Sequence, residues 1–305
     1  MSEQAVAAKA DMEAIRPINV VTWKDKLAAY KKRPLSMFLL MAVTVSAVIT
    51  VGVLGALVIY ILANGIMNLS PELFAWKYTT ENVSMLPAII NTFLMTALSL
   101  LIAVPIGICS AIYLVEYAKR GNKLVSIVRI TTETLSGIPS IVYGLFGYLM
   151  FVIAFGWGLS FFGGALTLSI MVLPTIMRTT EEALLSVPDS YREGSFGLGA
   201  GRLRTIFKVV LPSAVPGILS GVILAIGRIV GESAALLFTA GFGLVLNGFV
   251  ESLQSSSATL TVALYVYASE RGETAVAFAI ATILMVLTFI INFAANLAAK
   301  KLKKV

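Results

Sequence analysis

The amino-acid sequence predicts an all-α integral membrane protein that crosses the bilayer six times. Hydrophobic residues make up 58% of the 305 positions and the mean hydropathy is +0.91, whereas soluble domains are about 45–50% apolar. Charged residues are absent from the stretches 34–71, 82–115 and 134–177. Because one membrane-spanning helix needs about 20 predominantly apolar residues, these stretches account for most of the predicted spans.

The boundaries of the spans follow from the lengths of the apolar stretches and the turn-forming residues inside them. The stretch 134–177 is long enough for two spans, and Gly156-Trp157-Gly158 divides them, since glycine favours turns and tryptophan favours the membrane interface. Pro105 predicts a kink in the second span. We predict spans at roughly 37–62, 86–115, 135–155, 160–180, 209–238 and 274–298. Residues 1–34 are predicted to form an arm outside the membrane and residues 35–305 the membrane domain.

The distribution of basic residues predicts the orientation of these spans. Twenty of the 23 lysines and arginines fall in the N-terminal arm, the second and fourth connections and the C-terminal tail. Lys77 and Arg271 lie on the opposite side, and Arg228 lies inside a span. Because basic residues accumulate on the cytoplasmic side of membrane proteins, we expect both termini to be cytoplasmic.

A polar segment at about 181–208 separates the fourth span from the fifth. Glu193 is followed six positions later by Gly199, and Leu211-Pro212 closes the pattern. We expect a short helix, a turn at Gly199, which tolerates a positive φ, and Pro212 in the first turn of the next helix, where its missing N–H costs least. The charged residues of this segment are predicted to bind a second protein: Glu181, Glu182, Asp189, Arg192 and Glu193. The alternative is an ordinary charged loop.

Arg228 and Glu232 are charged residues inside the predicted fifth span. A charge at the bilayer centre costs about 2.5–3.5 kcal/mol on insertion scales and persists where it faces a cavity, a partner or a ligand. Since the two residues are four apart, we expect them on one helix face. They either line a translocation path or only neutralise each other. Gly227 and Gly231 are expected to let another helix approach closely.

Arg178 lies near the predicted cytoplasmic end of the fourth span. Two guanidinium groups from different helices suit a tetrahedral oxyanion, because arginine offers paired donors to its oxygens. Arg178 and Arg228 are therefore candidates for such a pair. The alternative for Arg178 is an anchor at the basic side of the membrane.

The composition also excludes several classes of protein. The chain has no histidine, which removes histidine-based catalysis and histidine metal sites, and the spans contain no paired aspartates. Its basic residues flank apolar spans, a pattern of membrane proteins and not of nucleic-acid-binding ones. Cys109, the only cysteine, is expected to be a small buried apolar residue. No phosphate-binding glycine loop occurs, so another chain must bind any ATP that is used.

Several motifs resemble those of known transporters. The pattern from Glu193 to Pro212 resembles the coupling segment of binding-protein-dependent ABC importer permeases, although Gly194 and Ser195 replace the usual alanines and Val209 the usual isoleucine. The stretches 138–146, 177–181 and 228–240 are similar to the phosphate-specific ABC importer permease of the PstA type. The similarity runs from roughly 85 to 298, and the N-terminal arm lies outside it.

The resemblance implies a type I ABC importer (MetI-like) permease fold in a bacterial or archaeal plasma membrane. It implies four kinds of partner: a related permease subunit of the PstC type, a PstB-type ATPase dimer, a PstS-type extracytoplasmic phosphate-binding protein and membrane lipid. ATP and Mg²⁺ would bind to the ATPase, with no cofactor on this chain, which would be a transport subunit and not an enzyme. ATP-driven alternating access would move phosphate through the membrane.

The residue patterns and the family resemblance together give two sets of candidate site residues. The substrate path is assigned Arg228, Arg178, Glu232 and Ser140. ATPase coupling is assigned Glu193, Gly194, Ser195, Gly199, Leu211 and Pro212. For Ser140, which follows Pro139, a helix start without ligand contact is the ordinary alternative.

Other functions remain compatible with these features. An intramembrane arginine argues for an anion but does not choose among anions, so an importer of another oxyanion, such as molybdate or sulfate, is the main alternative. A neutral or amino-acid solute is a further one. A regulatory protein that reports phosphate status to a sensor kinase could coexist with transport.

Overall fold

The computed structural model describes residues 34–76, 78–79, 82–119, 121–244 and 253–302, and all regular secondary structure within them is helical. The predicted arm, residues 1–34, lies outside these ranges except for its last residue. The helices are α1 Pro34–Met67, α2 Leu86–Ile112, α3 Lys123–Ser136, α4 Ser140–Gly147, α5 Phe161–Leu185, α6 Asp189–Gly197, α7 Arg202–Thr205, α8 Leu211–Val230, α9 Ala234–Thr239, α10 Leu260–Tyr265 and α11 Thr274–Leu302. A 3-10 turn covers Pro71–Phe74, and π-helical segments extend four of the helices at Tyr113–Tyr117, Tyr148–Ala154, Ile206–Val210 and Val266–Glu270.

The described residues contain five helical stretches that are long and apolar enough to cross a membrane, and six when one bent pair counts as a single span. The bent pair joins Lys123–Ser136 to Ser140–Ala154. The other five are Pro34–Met67, Leu86–Tyr117, Phe161–Leu185, Arg202–Val230 and Thr274–Lys301. The larger of these two numbers agrees with the six spans predicted from the sequence.

The third predicted span, 135–155, begins later than expected. Its helix α4 starts at Ser140, and the preceding helix α3 meets it at an angle of 105°. Gly137 ends α3 and Pro139 precedes α4. Proline disfavours helical φ/ψ in the residue before it and cannot donate a backbone hydrogen bond, so the helix breaks here. Hydropathy alone does not register this break, because the apolar composition continues through it.

The fifth predicted span, 209–238, is broken as well. A continuous helical stretch runs from Arg202 to Val230, and α9 forms a separate short helix beyond Gly231. Pro212 is the second residue of α8 and so lies in its first turn, as predicted, although the helical stretch already begins at Arg202. The π-helical segment Ile206–Val210 directly precedes this proline, and π-type bonding is a way to accommodate a proline that cannot continue the regular hydrogen-bond ladder.

The structure divides into two compact units, residues 1–60 and 61–305. In the first unit, the described part is the helical stretch 34–60, whose apolar side chains are largely exposed. The second unit contains the buried core, built mainly on α2, α5 and α8. Cys109 on α2 is exposed, so the expectation that it is buried was wrong.

Close helix packing at small residues holds α2, α5 and α8 together. Ser99 on α2 donates a hydrogen bond to the Ala165 carbonyl of α5 at 3.1 Å, and Ser169 donates back to the Ser99 carbonyl at 3.1 Å. On α8, a Cβ at Gly217 would lie 2.5 Å from the Cβ of Ala183. Small residues at such crossings let helix backbones approach, and hydroxyl groups bond across them.

Candidate functional site

Glu232 lies in the break between α8 and α9, where it serves as a cap. Its side chain is buried, and Oε1 accepts a hydrogen bond from the Ala235 N–H at 3.0 Å. Its backbone carbonyl accepts a hydrogen bond from the Thr261 hydroxyl at 2.7 Å. Backbone groups freed by a helix break inside a membrane must find partners within the protein. Glu232 and Thr261 supply those partners.

Arg228 lies in the last turn of α8 and is half-buried. Its side chain makes no ion pair or hydrogen bond with the described residues, so the Arg228–Glu232 pair considered from the sequence does not form. The reason is geometric: α8 ends at Val230, so the two residues do not share one helix face. The phenol of Tyr143 on α4 lies within electrostatic range of the Arg228 guanidinium.

The depth of Arg228 follows from the register between α8 and α5. Gly217 packs against Ala183, and Gly221 packs against Thr179, so the two helices are antiparallel. Arg228 is seven residues beyond Gly221, about 10 Å along the helix axis, which places it near the middle of α5. A cation at this depth is costly unless it faces water, a partner or a ligand.

The glycines expected beside Arg228 do not mediate helix packing within the described chain. A Cβ at Gly227 would have no neighbour within 4 Å, and one at Gly231 would meet only the Gly227 carbonyl. Close packing is instead provided by Gly217 and Gly221. Their four-residue spacing is the small-xxx-small pattern of membrane helix pairs, a signal that the sequence reading missed.

Arg178 lies near the C-terminal end of α5, with more than half of its side chain exposed. Its Nε donates to Glu182 Oε1 at 3.0 Å, and the neighbouring Glu181 pairs with Arg129 of α3 at 2.5 Å. A cavity of about 240 Å³ is lined by these four residues together with Thr132, Glu133 and Leu185. By the helix register, Arg178 lies roughly two turns from the level of Arg228, so the structure does not pair the two guanidinium groups directly.

Ser140 is the first residue of α4 and is half-buried. Its hydroxyl bonds to no other described residue. The same helix carries Tyr143, whose hydroxyl donates to the Leu135 carbonyl at 2.7 Å, and Gly144, whose Cα faces the backbone of Ala235 on α9. Ser140 therefore starts the helix that packs against α9, which follows the break at Glu232.

The short helix expected in the polar segment is α6. Leu198 caps its C-terminus, and Gly199 follows with φ +80°. The N–H of Gly199 donates to the Phe196 carbonyl at 2.9 Å, and that of Ala200 donates to the Ser195 carbonyl at 3.1 Å. These two bonds form a Schellman motif, which requires a left-handed residue best supplied by glycine.

The other coupling candidates lie in or next to this segment. Glu193 and Gly194 are exposed on α6, and Gly194 has open space where a Cβ would point. The Ser195 hydroxyl lies 2.8 Å from that of Thr205, in a hydrogen bond that joins α6 to α7. Leu211 and Pro212 lie where the π-helical segment passes into α8.

Most of the acidic and basic residues that the sequence offered as partners for a second protein form ion pairs within the chain. Glu181 pairs with Arg129, and Glu182 pairs with Arg178. Arg192 pairs with Asp189 and with Glu116 at the end of α2. In the described part of the chain, Glu193 is the one member of this set without an ion pair. The sequence reading missed Glu116, which is 76 residues from Arg192.

The sequence matches a known family of membrane transport proteins and several of its members. Residues 103–304 match the family model described as "Binding-protein-dependent transport system inner membrane component". The probable ABC transporter permease protein YqgI of Bacillus subtilis (strain 168) is 39% identical over 234 residues, 74% of each chain. The phosphate transport system permease protein PstA of Pasteurella multocida (strain Pm70) is 36% identical over 246 residues, 78% of this chain and 84% of that one.

A mycobacterial relative matches over a shorter region. Phosphate transport system permease protein PstA 1 of Mycobacterium tuberculosis (strain CDC 1551 / Oshkosh) is 36% identical over 178 residues. The match covers 58% of this chain and 57% of that protein, so the chain spans a little over half the length of this relative.

Solved structures show the same fold at low sequence identity. A chain of a bacterial alginate ABC transporter, in complex with an alginate pentasaccharide-bound periplasmic protein, aligns with a TM-score of 0.67 at 17% identity, over 88% of this chain and 96% of that one. A chain of the MetNI methionine ABC transporter in an inward-facing conformation aligns with a TM-score of 0.54 at 21% identity, over 72% of this chain and 94% of that one. The helical architecture and the match over residues 103–304 agree: this chain belongs to the family of inner membrane components of binding-protein-dependent transport systems.

Proposed function

We propose that the chain is a permease subunit of an ATP-driven importer of inorganic phosphate and forms half of its translocation path. The observation that carries this proposal is Arg228: a half-buried cation level with the middle of α5, a helix long and apolar enough to cross the membrane, with no ion pair in the described chain. Relatives named as phosphate transport permeases at 36–39% identity support phosphate as the substrate.

The path is proposed to run along the side of α8 and α4 that presents Arg228. A guanidinium offers planar, paired donors that match the oxygens of phosphate. Glu232 holds the break that follows Arg228, and Ser140 begins the helix that packs against α9 beyond that break. Arg178, about two turns away, is proposed as a second contact along the path and not as a simultaneous ligand.

Coupling is proposed to occur through α6, which docks on a cytoplasmic ATPase that binds ATP and Mg²⁺. Glu193 is the one carboxylate of the segment without an ion pair among the described residues, and it is exposed for such a contact. Gly194, Ser195 and Gly199 shape the helix and its turn, and Leu211 and Pro212 join it to the fifth span. ATP-driven closure of the ATPase dimer would then move α6 and alternate the access of the path.

The proposal includes the orientation of the chain in the membrane. The cytoplasmic side is the one that carries the second and fourth connections and both termini, because 20 of the 23 basic residues fall there. The proposed partners are a related PstC-type permease, a PstB-type ATPase dimer and, on the opposite side, a PstS-type phosphate-binding protein. The proposed location is the plasma membrane, surrounded by lipid.

One alternative substrate class has a specific basis. The Arg228 site recognises negative charge and oxygen acceptors, which sulfate and molybdate share with phosphate. The test is ATP hydrolysis by the complex reconstituted with its binding protein and each of the three anions. Stimulation by phosphate alone supports the proposal, whereas stimulation by another anion retains the importer and replaces its substrate.

A further inference from the structure

Glu116 and Arg192 form a partly buried ion pair that joins α6 to the end of the second span. Arg192 donates to Glu116 Oε1 from Nε at 3.0 Å and from Nη2 at 2.8 Å. The two side chains are 13% and 9% exposed. Because both donors of one guanidinium edge bind the same carboxylate oxygen, the relative position of the two residues is tightly constrained.

The same guanidinium also binds the end of α5. Nη2 donates to the Leu184 carbonyl at 2.9 Å, and Nη1 donates to the Val187 carbonyl at 2.8 Å. The last carbonyls of a helix lack partners within that helix, so Arg192 satisfies one of them while it binds Glu116. One side chain of α6 thus connects the ends of α2 and α5.

A second contact links the end of α2 to the chain after α6. Arg202, at the start of α7, donates to the Glu116 carbonyl, and its guanidinium lies 5.1 Å from the centroid of the Tyr117 ring. We define the α2 clamp as Glu116 and Tyr117 with Arg192 and Arg202. The clamp therefore holds α6 at Arg192 and the chain that follows α6 at Arg202.

The other end of α2 contacts the segment that closes the break at Glu232. Thr92 Oγ1 accepts a hydrogen bond from the Leu260 N–H at 3.0 Å, and Asn91 donates to the Ala258 carbonyl at 3.4 Å. Thr261, which follows Leu260, donates a hydrogen bond to the Glu232 carbonyl. A continuous series of contacts therefore runs from α6 through α2 to the break beside Arg228.

We propose that the Glu116–Arg192 pair is a positioning element that makes α2 move with α6. A displacement imposed on α6 by the ATPase would then reach the Glu232 break along α2. This inference rests on the proposed function, since it assumes an ATPase that moves α6. Glu116 is buried inside the clamp and faces Arg192, so its role differs from that of the exposed Glu193.

The test uses the full complex of both permeases, ATPase and binding protein in proteoliposomes. Three quantities are measured: ATPase retained per complex, ATP hydrolysis with and without phosphate, and phosphate taken up per ATP hydrolysed. For Glu116→Gln we expect normal ATPase retention but a fall of about tenfold in uptake per ATP, within the usual range of coupling between sites. Arg192→Lys, which cannot reproduce the fork of donors, should lower the same ratio.

Glu72→Gln is the control. Glu72 is exposed in the Pro71–Phe74 turn and has no ion pair among the described residues. Uptake per ATP in this variant should stay within about twofold of the wild type, because removing an exposed charge of this kind changes little. An equal loss in both Glu→Gln variants would contradict a specific role for the clamp.

Two further results would overturn the inference. Wild-type uptake per ATP in Glu116→Gln would show that α2 does not depend on the pair. Loss of the ATPase from that variant would show that the pair only shapes the docking surface. A failure of the proposed function gives a different result. A wild-type complex that retains no ATPase contradicts both the importer function and the role of the Glu116–Arg192 pair. A wild-type complex that responds to sulfate changes only the substrate, and sulfate uptake per ATP then tests the pair in the same way.

Discussion

Glu232 accepts a hydrogen bond from the N–H of Ala235 at 3.0 Å across the break between α8 and α9. The carboxylate therefore serves the backbone and leaves the cation of Arg228, four residues earlier, without an ion pair in the described chain. A break of this kind allows one helix to end at mid-membrane depth without exposing its polar groups to lipid. It also leaves Arg228 available to an anion.

Replacing Arg228 with glutamine should abolish phosphate uptake while the complex still assembles. Glutamine removes the charge but keeps a polar side chain of moderate length, so packing should change little. Uptake is measured in proteoliposomes, and subunit content by quantitative gel analysis. Arg228→Lys keeps the charge without the paired donors and should retain partial uptake. Normal uptake in Arg228→Gln would remove Arg228 from the path.

Two substitutions of Glu232 separate its capping role from its charge. In Glu232→Ala the buried Ala235 N–H loses its acceptor, which costs about 1–3 kcal/mol, and thermal unfolding in detergent should begin at a lower temperature. In Glu232→Gln the amide oxygen still accepts this bond, so the unfolding temperature should stay close to that of the wild type. Equal unfolding temperatures for Glu232→Ala and the wild type would refute the capping role.

Reversing the charge of Glu193 should release the ATPase from the membrane. Glu193 is exposed on α6 and has no ion pair among the described residues, so Glu193→Lys changes the docking surface without breaking an internal contact. The measurement is the amount of ATPase that copurifies with the membrane complex. Glu72→Lys, an exposed glutamate in the Pro71–Phe74 turn, is the control and should not affect copurification. Undiminished ATPase in Glu193→Lys would count against the coupling role.

Two glycines of the coupling segment should respond oppositely to alanine. Gly199 has φ +80°, so Gly199→Ala introduces left-handed backbone strain of about 1–2 kcal/mol. Gly194 lies within α6 with open space around it, and Gly194→Ala should stabilise the helix by about 0.5–1 kcal/mol. Limited proteolysis of the segment reports both effects. Faster cleavage of Gly194→Ala than of Gly199→Ala would reverse the expected order.

The sequence predicted the spans well because their boundaries are set by charge, which composition records directly. The start of α2 at Leu86 is an example. The break at Gly231–Ser233 was missed, because apolar composition continues through it while backbone hydrogen bonding changes. A helix start after Pro139 was among the expectations and is confirmed at Ser140, although the predicted span 135–155 ran through it. Membrane spans are predicted from hydropathy, and hydropathy does not report a helix cap such as that formed by Glu232.

The contacts of the candidate site were harder to predict than its residues. Arg228 stands out in any hydropathy profile, yet whether Glu232 neutralises it depends on where α8 ends. Glu116 appeared only as the residue that ends a charge-free stretch. Its partner Arg192 is distant in sequence, and only the packing of α2, α5 and α6 brings the two together.

The measurement that tests the central claim most directly is ATP-driven uptake of radiolabelled phosphate by the reconstituted complex in the presence of excess sulfate or molybdate. The account predicts accumulation that requires ATP, the binding protein and Arg228, and that neither competing anion reduces. Accumulation that sulfate or molybdate suppresses, or that persists in Arg228→Gln, would contradict it.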